Sequence, residues 1–288
     1  MSTPDTLTLD VSNMMDNRLG TGKGITPREL EKQAPAREKA HQEMLAQLAQ
    51  GGLGFARLLA DDKLCDAVNA QARKQQGRYE DVVVLGIGGS ALGTSALFRA
   101  LCSPLHNLDV RFRGKYPRLW VLDNIDPRTM ASYLELWQPD RTLVNVVTKS
   151  GSTVETMSQF LLLRDWLKSR LGTRYHKHIV ATTDPSKGLL RKIALEEKME
   201  TLPIPPELGG RFSVLSAVGL FPAALVGIDI DPLLAGAREM WRTVSDPASA
   251  ASNPSSLFAG TQHLLTRKGH PIHVLMAYAD SLYLWADW

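Results

Sequence analysis

The sequence DVVVLGIGGSALG, at residues 81–93, decides how the rest of the chain is interpreted. It begins with an almost continuous apolar, β-branched run at 81–87, passes through a glycine-rich turn and then enters a helical pattern. Near-continuous apolar strands are typical of sheets that are covered on both faces, and such sheets are parallel, with helices between their strands. The stretch therefore predicts an α/β fold.

The same alternation of buried runs and helical patterns continues along the chain. The further strand candidates are Arg118–Asp123, Leu143–Thr148, His178–Thr183 and, with a weaker pattern, Thr201–Ile204. Strands that alternate with helices predict a parallel sheet flanked by helices.

A helical region precedes the sheet. Thr26-Pro27-Arg28-Glu29 is a candidate capping box with proline at the first helical position, and apolar residues then repeat at helical spacing until Gly51-Gly52. These signals predict a long N-terminal helix.

A second α/β pattern follows the small, polar run SDPASAASN at 245–253, which predicts a loop or a domain boundary. A helix is predicted from Asn253-Pro254 to about Lys268, a buried strand at His273–Ala279, and the start of a helix at Ser281–Trp288. Because no C-cap signal follows this last helix, we expect that the chain ends inside an element.

Composition and charge exclude several classes of protein. The 288 residues include 33 Lys plus Arg and 30 Asp plus Glu, a net charge of +3 without a basic cluster, so no nucleic-acid partner is predicted. Residues 1–10 lack a signal-peptide pattern and no apolar run is long enough to cross a bilayer, which predicts a cytoplasmic protein without a membrane partner. Cys65 and Cys102 fit neither a disulfide framework nor a zinc site, so both are expected to be reduced.

The glycine-rich turn Gly86–Gly93 lies between a strand and a helix, where backbone N–H groups can bind an anion. Its spacing also satisfies the dinucleotide fingerprint G-x-G-x-x-G/A, which needs an acid about 20 residues on, at the end of the second strand. Asp109 has no strand before it, and Asp123 lies 37 residues from Gly86. A dinucleotide is therefore disfavoured, and a turn that serves only close packing remains an alternative.

The turn TKSGSTVET, at 148–156, supplies five hydroxyls and one ammonium between a buried strand and a helix. Ser152 and Glu155 are a candidate capping box, which is the purely structural interpretation. A cap needs only one hydroxyl, and the others cluster at the carboxyl end of a central strand, where open α/β sheets bind ligands. Hydroxyls and backbone N–H groups suit a phosphate monoester without a metal. We therefore predict a phosphate site.

A single arginine between apolar residues is the third candidate. Arg211 follows two glycines in GGRFS, at 209–213, and Val214 follows directly. Burial of a guanidinium there would be costly unless it met an acid or an anionic ligand. The seven histidines give no pair that shares a face at metal-ligand spacing, so no metal is predicted.

Three runs together carry a resemblance to a known family: VVVLGIGGSALGTSAL at 82–97, NVVTKSGSTVET at 145–156 and LGGRFSVLSAVGLFPAAL at 208–225. In this order and at these separations they resemble the glucose-6-phosphate isomerase family of bacterial type, over about residues 80–288. The resemblance implies a three-layer α/β/α sandwich with a five-stranded parallel sheet, called a sugar-isomerase (SIS) domain, followed by the start of a second one. It also implies a homodimer that binds a phosphosugar between the two domains.

The resemblance assigns roles to residues within the three runs. Gly89 and Ser90 resemble the family's first substrate loop. Its phosphate-binding loop is resembled by Thr148, Lys149, Ser150 and Thr153. Arg211 resembles the arginine that stabilises an enediolate. The implied reaction interconverts glucose 6-phosphate and fructose 6-phosphate through a cis-enediol, in glycolysis and gluconeogenesis, and uses no cofactor.

The family's glutamate base, histidine and lysine are expected beyond Trp288, so we expect a truncated portion of the isomerase that is inactive alone. The predicted domains are a helical region at 1–52, the first SIS domain at 53–235, and a linker with the beginning of a second SIS domain at 236–288. The alternative is a non-catalytic SIS-type module that senses a phosphosugar.

Overall fold

The predicted strands form one parallel sheet. In the computed structural model, which describes residues 7–60, 62–247 and 253–288, they are β1 (Asp81–Leu85), β2 (Arg118–Leu122), β3 (Thr142–Val147), β4 (Ile179–Thr183) and β5 (Glu200–Pro203). Their order is β2-β1-β3-β4-β5, and every neighbouring pair is parallel. The predicted α/β fold with a five-stranded parallel sheet is confirmed.

Helices precede, connect and follow these strands. The α-helices of the described residues are α1 (Asp16–Leu19), α2 (Pro27–Ala49), α3 (Gly54–Arg57), α4 (Asp62–Gln75), α5 (Leu92–Leu101), α6 (Val110–Arg113), α7 (Pro127–Leu136), α8 (Val154–Leu171), α9 (Leu189–Glu196), α10 (Ala217–Leu225), α11 (Ile230–Ser245), α12 (Pro254–Arg267) and α13 (Tyr283–Asp287). Each connection between consecutive strands contains at least one helix, as the crossovers of a parallel sheet require.

The sheet is covered on both faces, which explains its continuous apolar strands. On one face, Val82 and Val84 pack with buried residues of α4, α5 and α10. On the other face, Val83 and Leu85 pack with buried residues of α7, α8 and α9. Because successive side chains of a strand point to opposite faces, β1, β2, β3 and β4 each contribute to both cores, whereas β5 contributes Leu202 to the first. The result is three layers in the order α/β/α.

Contacts between residues divide the chain into two units, each described here by itself. The first consists of Met1–Gly52 with Ala235–Leu275, and the second of Leu53–Leu234 with Met276–Trp288. The whole sheet belongs to the second unit. The division into 1–52, 53–235 and 236–288 stays a prediction. Residues 1–6 and 248–252, and with them part of the predicted 245–253 loop, lie outside the described residues.

In the first unit, the predicted capping box at the start of α2 is confirmed. The N–H of Thr26 donates to the Glu29 carboxylate at 2.8 Å, and the N–H of Glu29 donates to the Thr26 hydroxyl at 3.2 Å. Lys268 Nζ also donates to Glu29, at 2.9 Å. The hydrogen bond from the Thr26 N–H, followed by those from Lys268 and the Thr26 hydroxyl, lowers the pKa of Glu29 to about 2. This carboxylate is therefore ionised at neutral and mildly acidic pH.

The C-terminal part of the chain departs from the sequence prediction. The helix predicted after Asn253 forms as α12, and α13 lies within the predicted Ser281–Trp288 helix, but His273–Ala279 forms no strand in the described stretch 253–288. The side chains at 272, 274, 275, 276 and 278 are 69–94% exposed. A strand needs a neighbour to take its N–H and C=O hydrogen bonds, and an apolar pattern cannot supply one. The predicted buried strand is therefore wrong in this structure.

The two cysteines lie at helices of the second unit, Cys65 in α4 and Cys102 directly after α5. Neither Cys65 nor Cys102 forms a disulfide, and burial raises the pKa of the Cys102 thiol to about 11. In the part of the chain that the structure describes, none of the helices combines the length and the apolar character that crossing a bilayer requires.

The packing of α8 on the sheet predicts a large difference between two of its residues. Phe160 is fully buried in the core between α8 and the sheet, whereas Leu162 is half exposed on the same helix. We expect Phe160→Ala to lower the free energy of unfolding by about 3–5 kcal/mol through lost burial and a cavity. Leu162→Ala is the control and should cost less than about 1 kcal/mol. Urea denaturation measures both, and similar losses would contradict this placement of the core.

Candidate functional site

The turn after β1 lies directly against the loop after β5. Gly88–Ser90 is a single 3-10 turn, and a Cβ atom on Gly89 would overlap the carbonyl group of Gly210 and lie 2.7 Å from the N atom of Arg211. Ser213 Oγ donates to the carbonyl oxygen of Gly89 at 3.2 Å and to that of Gly210 at 2.7 Å. The structure therefore brings the predicted residues Gly89 and Ser90 together with the Arg211 loop. The packing role that the sequence left open also exists, because no side chain fits at Gly89.

The turn after β3 is organised by its own hydroxyls. Thr148, which is buried, accepts a hydrogen bond from the N–H of Gly151 at 3.2 Å, and its Oγ1 lies 3.3 Å from Oγ1 of Thr153. Ser150 Oγ accepts from both the N–H and the hydroxyl of Ser152, at 3.2 and 3.0 Å. The four predicted phosphate-binding residues thus lie in one turn whose shape is fixed before any ligand binds.

The capping box predicted for Ser152 and Glu155 is wrong. Helix α8 begins at Val154, its N-cap is Thr153, and no side chain caps it by a hydrogen bond. The reason is local, since the Ser152 hydroxyl donates to Ser150 instead. The first N–H groups of α8 therefore lack the side-chain cap that many helices have. These N–H groups directly follow the hydroxyls of the 148–153 turn.

The turn after β4 supports the turn after β3. Asp184 accepts hydrogen bonds from the N–H groups of Ser186 and Lys187, both at 2.9 Å, and these bonds lower the pKa of Asp184. Gly188, with φ of +98°, follows this turn, and a Cβ atom there would lie 2.5 Å from the carbonyl oxygen of Ser150. The two turns are thus in close backbone contact. Helix α9 begins directly after this turn, at Leu189.

Lys149 points away from its own turn and toward the loop after β5. Its Nζ donates to the carbonyl oxygens of Pro206, at 3.0 Å, and Leu208, at 2.9 Å. The predicted role of Lys149 in phosphate binding stays a prediction. The structure shows in addition that its side chain bonds to the backbone of the loop after β5.

Arg211 lies in the 3-10 turn Gly210–Phe212 and is exposed, so the burial cost that the sequence suggested does not arise. The neighbouring Phe212 ring stacks on the ring of Phe55, with centroids 5.3 Å apart. This stacking and the bonds of Ser213 hold the backbone on both sides of the guanidinium.

Sequence reasoning missed the serines that follow Arg211. Ser213 bonds to the turn after β1, and Ser216 caps α10 by accepting from the N–H of Val218 at 3.2 Å. The only signal in the sequence was their position in the run 208–225. The described residues contain no group of three His, Cys, Asp or Glu side chains that could hold a metal ion.

The Phosphoglucose isomerase family profile matches residues 61–288. The chain belongs to the phosphoglucose isomerase family. A protein of Carboxydothermus hydrogenoformans named glucose-6-phosphate isomerase is 46% identical over 83% of this chain and 52% of its own length. One of the same name from Rubrobacter xylanophilus is 43% identical over 97% of this chain and 63% of its own length.

Solved structures agree with the fold. A hypothetical protein of Thermus thermophilus has a TM-score of 0.78 and 38% identity, over 90% of this chain and 59% of its own. A glucose-6-phosphate isomerase of Chlamydia trachomatis, with a TM-score of 0.66 and 22% identity over 85% of this chain and 52% of its own, shares the fold. This chain thus spans between 52 and 63% of the lengths of the two curated relatives named above. The three motif runs lie inside the region matched to phosphoglucose isomerase.

The contact between Gly89 and Gly210 predicts that these two glycines respond very differently to one added methyl group. In Gly89→Ala the methyl group would overlap the loop backbone, so we expect a loss of about 1–3 kcal/mol in stability and displaced resonances at 209–213. In Gly210→Ala, the control, no atom lies within 4 Å of the added Cβ, and the loss should stay within about 0.5 kcal/mol. Thermal unfolding and NMR spectra measure both effects. Equal responses of the two variants would show that the turns do not touch as described.

Proposed function

We propose that this chain binds a sugar phosphate and contributes the phosphate-binding and charge-stabilising part of an isomerase that interconverts glucose 6-phosphate and fructose 6-phosphate. The observation that carries the proposal is the preformed turn at 148–153, in which several hydroxyls meet at an uncapped helix start. Membership of the phosphoglucose isomerase family and the names of the curated relatives support the choice of substrate.

The 148–153 turn has the donors that a phosphate monoester needs. Hydroxyls of Thr148, Ser150 and Thr153 lie in one turn, and the first N–H groups of α8 follow immediately. A helix start favours an anion because its unpaired N–H groups and the helix dipole both attract negative charge. Hydrogen bonds to a charged acceptor contribute about 1.5–3 kcal/mol each, so a few of them suffice to hold a phosphate without a metal.

The turn after β1 and the loop after β5 are assigned to the sugar. We assign Gly89 and Ser90 to substrate binding and Arg211 to the negative charge that develops on the enediolate oxygen. A guanidinium stays protonated in proteins, so it stabilises that charge without exchanging a proton itself. The contacts of Ser213 and Phe212 keep the backbone of this loop in place, and preorganised charge is what lowers a barrier of this kind.

The reaction moves one proton and needs a general base. After ring opening, a base removes the proton from C2 while O1 gains a proton, which gives a cis-enediol. A proton then returns to C1 while O2 loses one, so that the aldose becomes a ketose without net oxidation or a cofactor. The side chains assigned to the site supply hydroxyls, an ammonium and a guanidinium, which bind anions but do not accept a carbon-bound proton. We therefore propose that another group, outside the three turns, acts as the base. The complete enzyme is proposed to be a cytoplasmic homodimer of glycolysis and gluconeogenesis.

Substitution of the turn's hydroxyls tests the phosphate site. In the double variant Thr148→Ala with Ser150→Ala, we expect affinity for glucose 6-phosphate to fall by at least about tenfold, since each lost hydrogen bond to phosphate should cost about 1.5–3 kcal/mol. Ser169→Ala with Thr173→Ala removes two exposed hydroxyls at the other end of α8 and should leave the affinity unchanged. Isothermal titration calorimetry with glucose 6-phosphate measures the affinity of both double variants. Glucose, which lacks the phosphate, is the control ligand. Unchanged affinity in the first double variant would refute the site.

A coupled assay tests the division between binding and proton transfer. We expect residues 1–288, purified free of host isomerase, to bind glucose 6-phosphate yet turn it over at least ~10²-fold more slowly than a full-length relative, since a positioned base contributes ~10²–10⁴-fold. Binding without turnover is also what a phosphosugar-sensing module would show. Adding the part of the full-length relative that this chain does not span would separate the alternatives, because activity should return for a portion of the isomerase and not for a sensing module. Turnover within about tenfold of the relative would place a base inside this chain.

A further inference from the structure

Lys149 connects the turn after β3 with the loop that carries Arg211. Its Nζ lies 3.0 Å from the carbonyl oxygen of Pro206 and 2.9 Å from that of Leu208. Leu208 itself is buried, whereas Arg211, three residues later, is exposed. The ammonium thus contacts the start of the loop, at Pro206 and Leu208, and not the exposed part that carries Arg211.

The sequence of this loop explains why a side chain from elsewhere is needed to hold it. The N–H of Ile204 donates to the carbonyl oxygen of Thr183 at 2.8 Å, which continues the pairing of β5 with β4. The next two residues, Pro205 and Pro206, have no N–H to donate, so the backbone cannot extend that ladder. A lysine ammonium has three donors and can satisfy two carbonyl groups at once.

The other side of the same loop is fixed by the turn after β1. There the Ser213 hydroxyl bonds to the carbonyl oxygen of Gly89, and the Gly89 backbone lies against Gly210. The Arg211 loop is therefore held between two turns, by Lys149 on one side and by Ser213 on the other. These two contacts join the predicted phosphate turn, the predicted sugar turn and the proposed enediolate-stabilising residue into one connected unit.

We propose that Lys149 is a positioning residue, whose ammonium holds the Arg211 loop through the carbonyl groups of Pro206 and Leu208, and that it is not a direct ligand of the phosphate. Two of the three N–H groups of the ammonium are used by these carbonyl oxygens, and turning the whole ammonium toward a phosphate would break both bonds. The proposal rests on the proposed function only for the statement that phosphate binds at 148–153. The contact with the Arg211 loop is independent of that function.

Hydrogen exchange on the full chain, without ligand, tests the contact itself. In Lys149→Met the carbonyl bonds are lost but the aliphatic part of the side chain remains, and we expect the amides of Leu208, Phe212 and Ser213 to exchange at least about tenfold faster. Lys187→Met is the matched control, because it removes one exposed positive charge from the turn after β4 at the same edge of the sheet. It should leave these amides unchanged. The amides of β3 report in the same experiment that the sheet is intact.

A phosphate titration completes the test. With inorganic phosphate as the probe, we expect the affinity of Lys149→Met to stay within about threefold of the unaltered chain, less than the loss of a direct charged ligand would cause. Lys149→Arg keeps the charge and the donors and should restore slow exchange at 208–213. If Lys149→Met fails to fold, Lys149→Gln, which keeps a shorter N–H donor, should show the same faster exchange at 208–213.

Unchanged exchange in Lys149→Met would overturn the proposal whatever the phosphate affinity is. Faster exchange in both lysine variants, Lys149→Met and Lys187→Met, would also overturn it, because the effect would then follow from charge alone. If the unaltered chain binds no phosphate, the proposed function fails while the exchange result still decides the role of Lys149. The two failures are thus distinguishable.

Discussion

Parallel pairing of the five strands is the constraint on which the rest of this structure depends. Because every strand runs in the same direction, all loops that follow a strand leave from the same edge of the sheet. The register places Leu85 beside Val146 and Val147 beside Thr182, so β1, β3 and β4 end within a residue or two of each other. Parallel pairing therefore places at one edge of the sheet hydroxyls, glycines and an arginine that are up to about 120 residues apart in the sequence.

Close backbone contact then fixes the loops that parallel pairing gathers. Gly89 lies against Gly210, and Gly188 against Ser150, at distances that leave no space for a side chain. Small residues and hydroxyls therefore serve two purposes at this edge. The small residues allow backbone groups to approach each other, and the hydroxyls bond to backbone groups of the same or the neighbouring turn. Thr183 shows the connection most directly, since its buried hydroxyl donates to the carbonyl oxygen of Thr148 at 2.7 Å.

The sequence predicted the features that depend on local pattern and missed those that depend on a partner far along the chain. Five buried runs gave five strands, and the Thr26 capping box involves residues only three positions apart. The apolar run 273–279 has the same pattern as a strand but lacks a paired neighbour, which no local pattern reveals. The bonds from Lys149 to the carbonyl group of Leu208 and from Ser213 to Gly89 span 59 and 124 residues, and a single sequence contains no signal for them.

Asp184 is an acidic residue next to the proposed phosphate turn. Its N–H lies 3.4 Å from the carbonyl oxygen of Lys149, so its backbone adjoins the proposed phosphate turn. The N–H groups of Ser186 and Lys187 lower the pKa of its carboxyl group, because they favour the charged form. The stabilisation that these bonds give the turn is therefore present above the ordinary pKa of the group and is lost only as the pH falls through the lowered value.

The second ionisation of a phosphate monoester has a pKa of about 6, so the dianion is the main form at neutral pH. In that range the Asp184 carboxylate is fully ionised and its negative charge is shared with two backbone N–H groups. The turn that holds Gly188 against Ser150 consequently keeps its shape at the pH at which the ligand carries most charge. For the proposed phosphate complex, the two N–H dipoles at Asp184 would offset its repulsion, and the hydroxyls of the neighbouring turn and the start of α8 would supply the attraction.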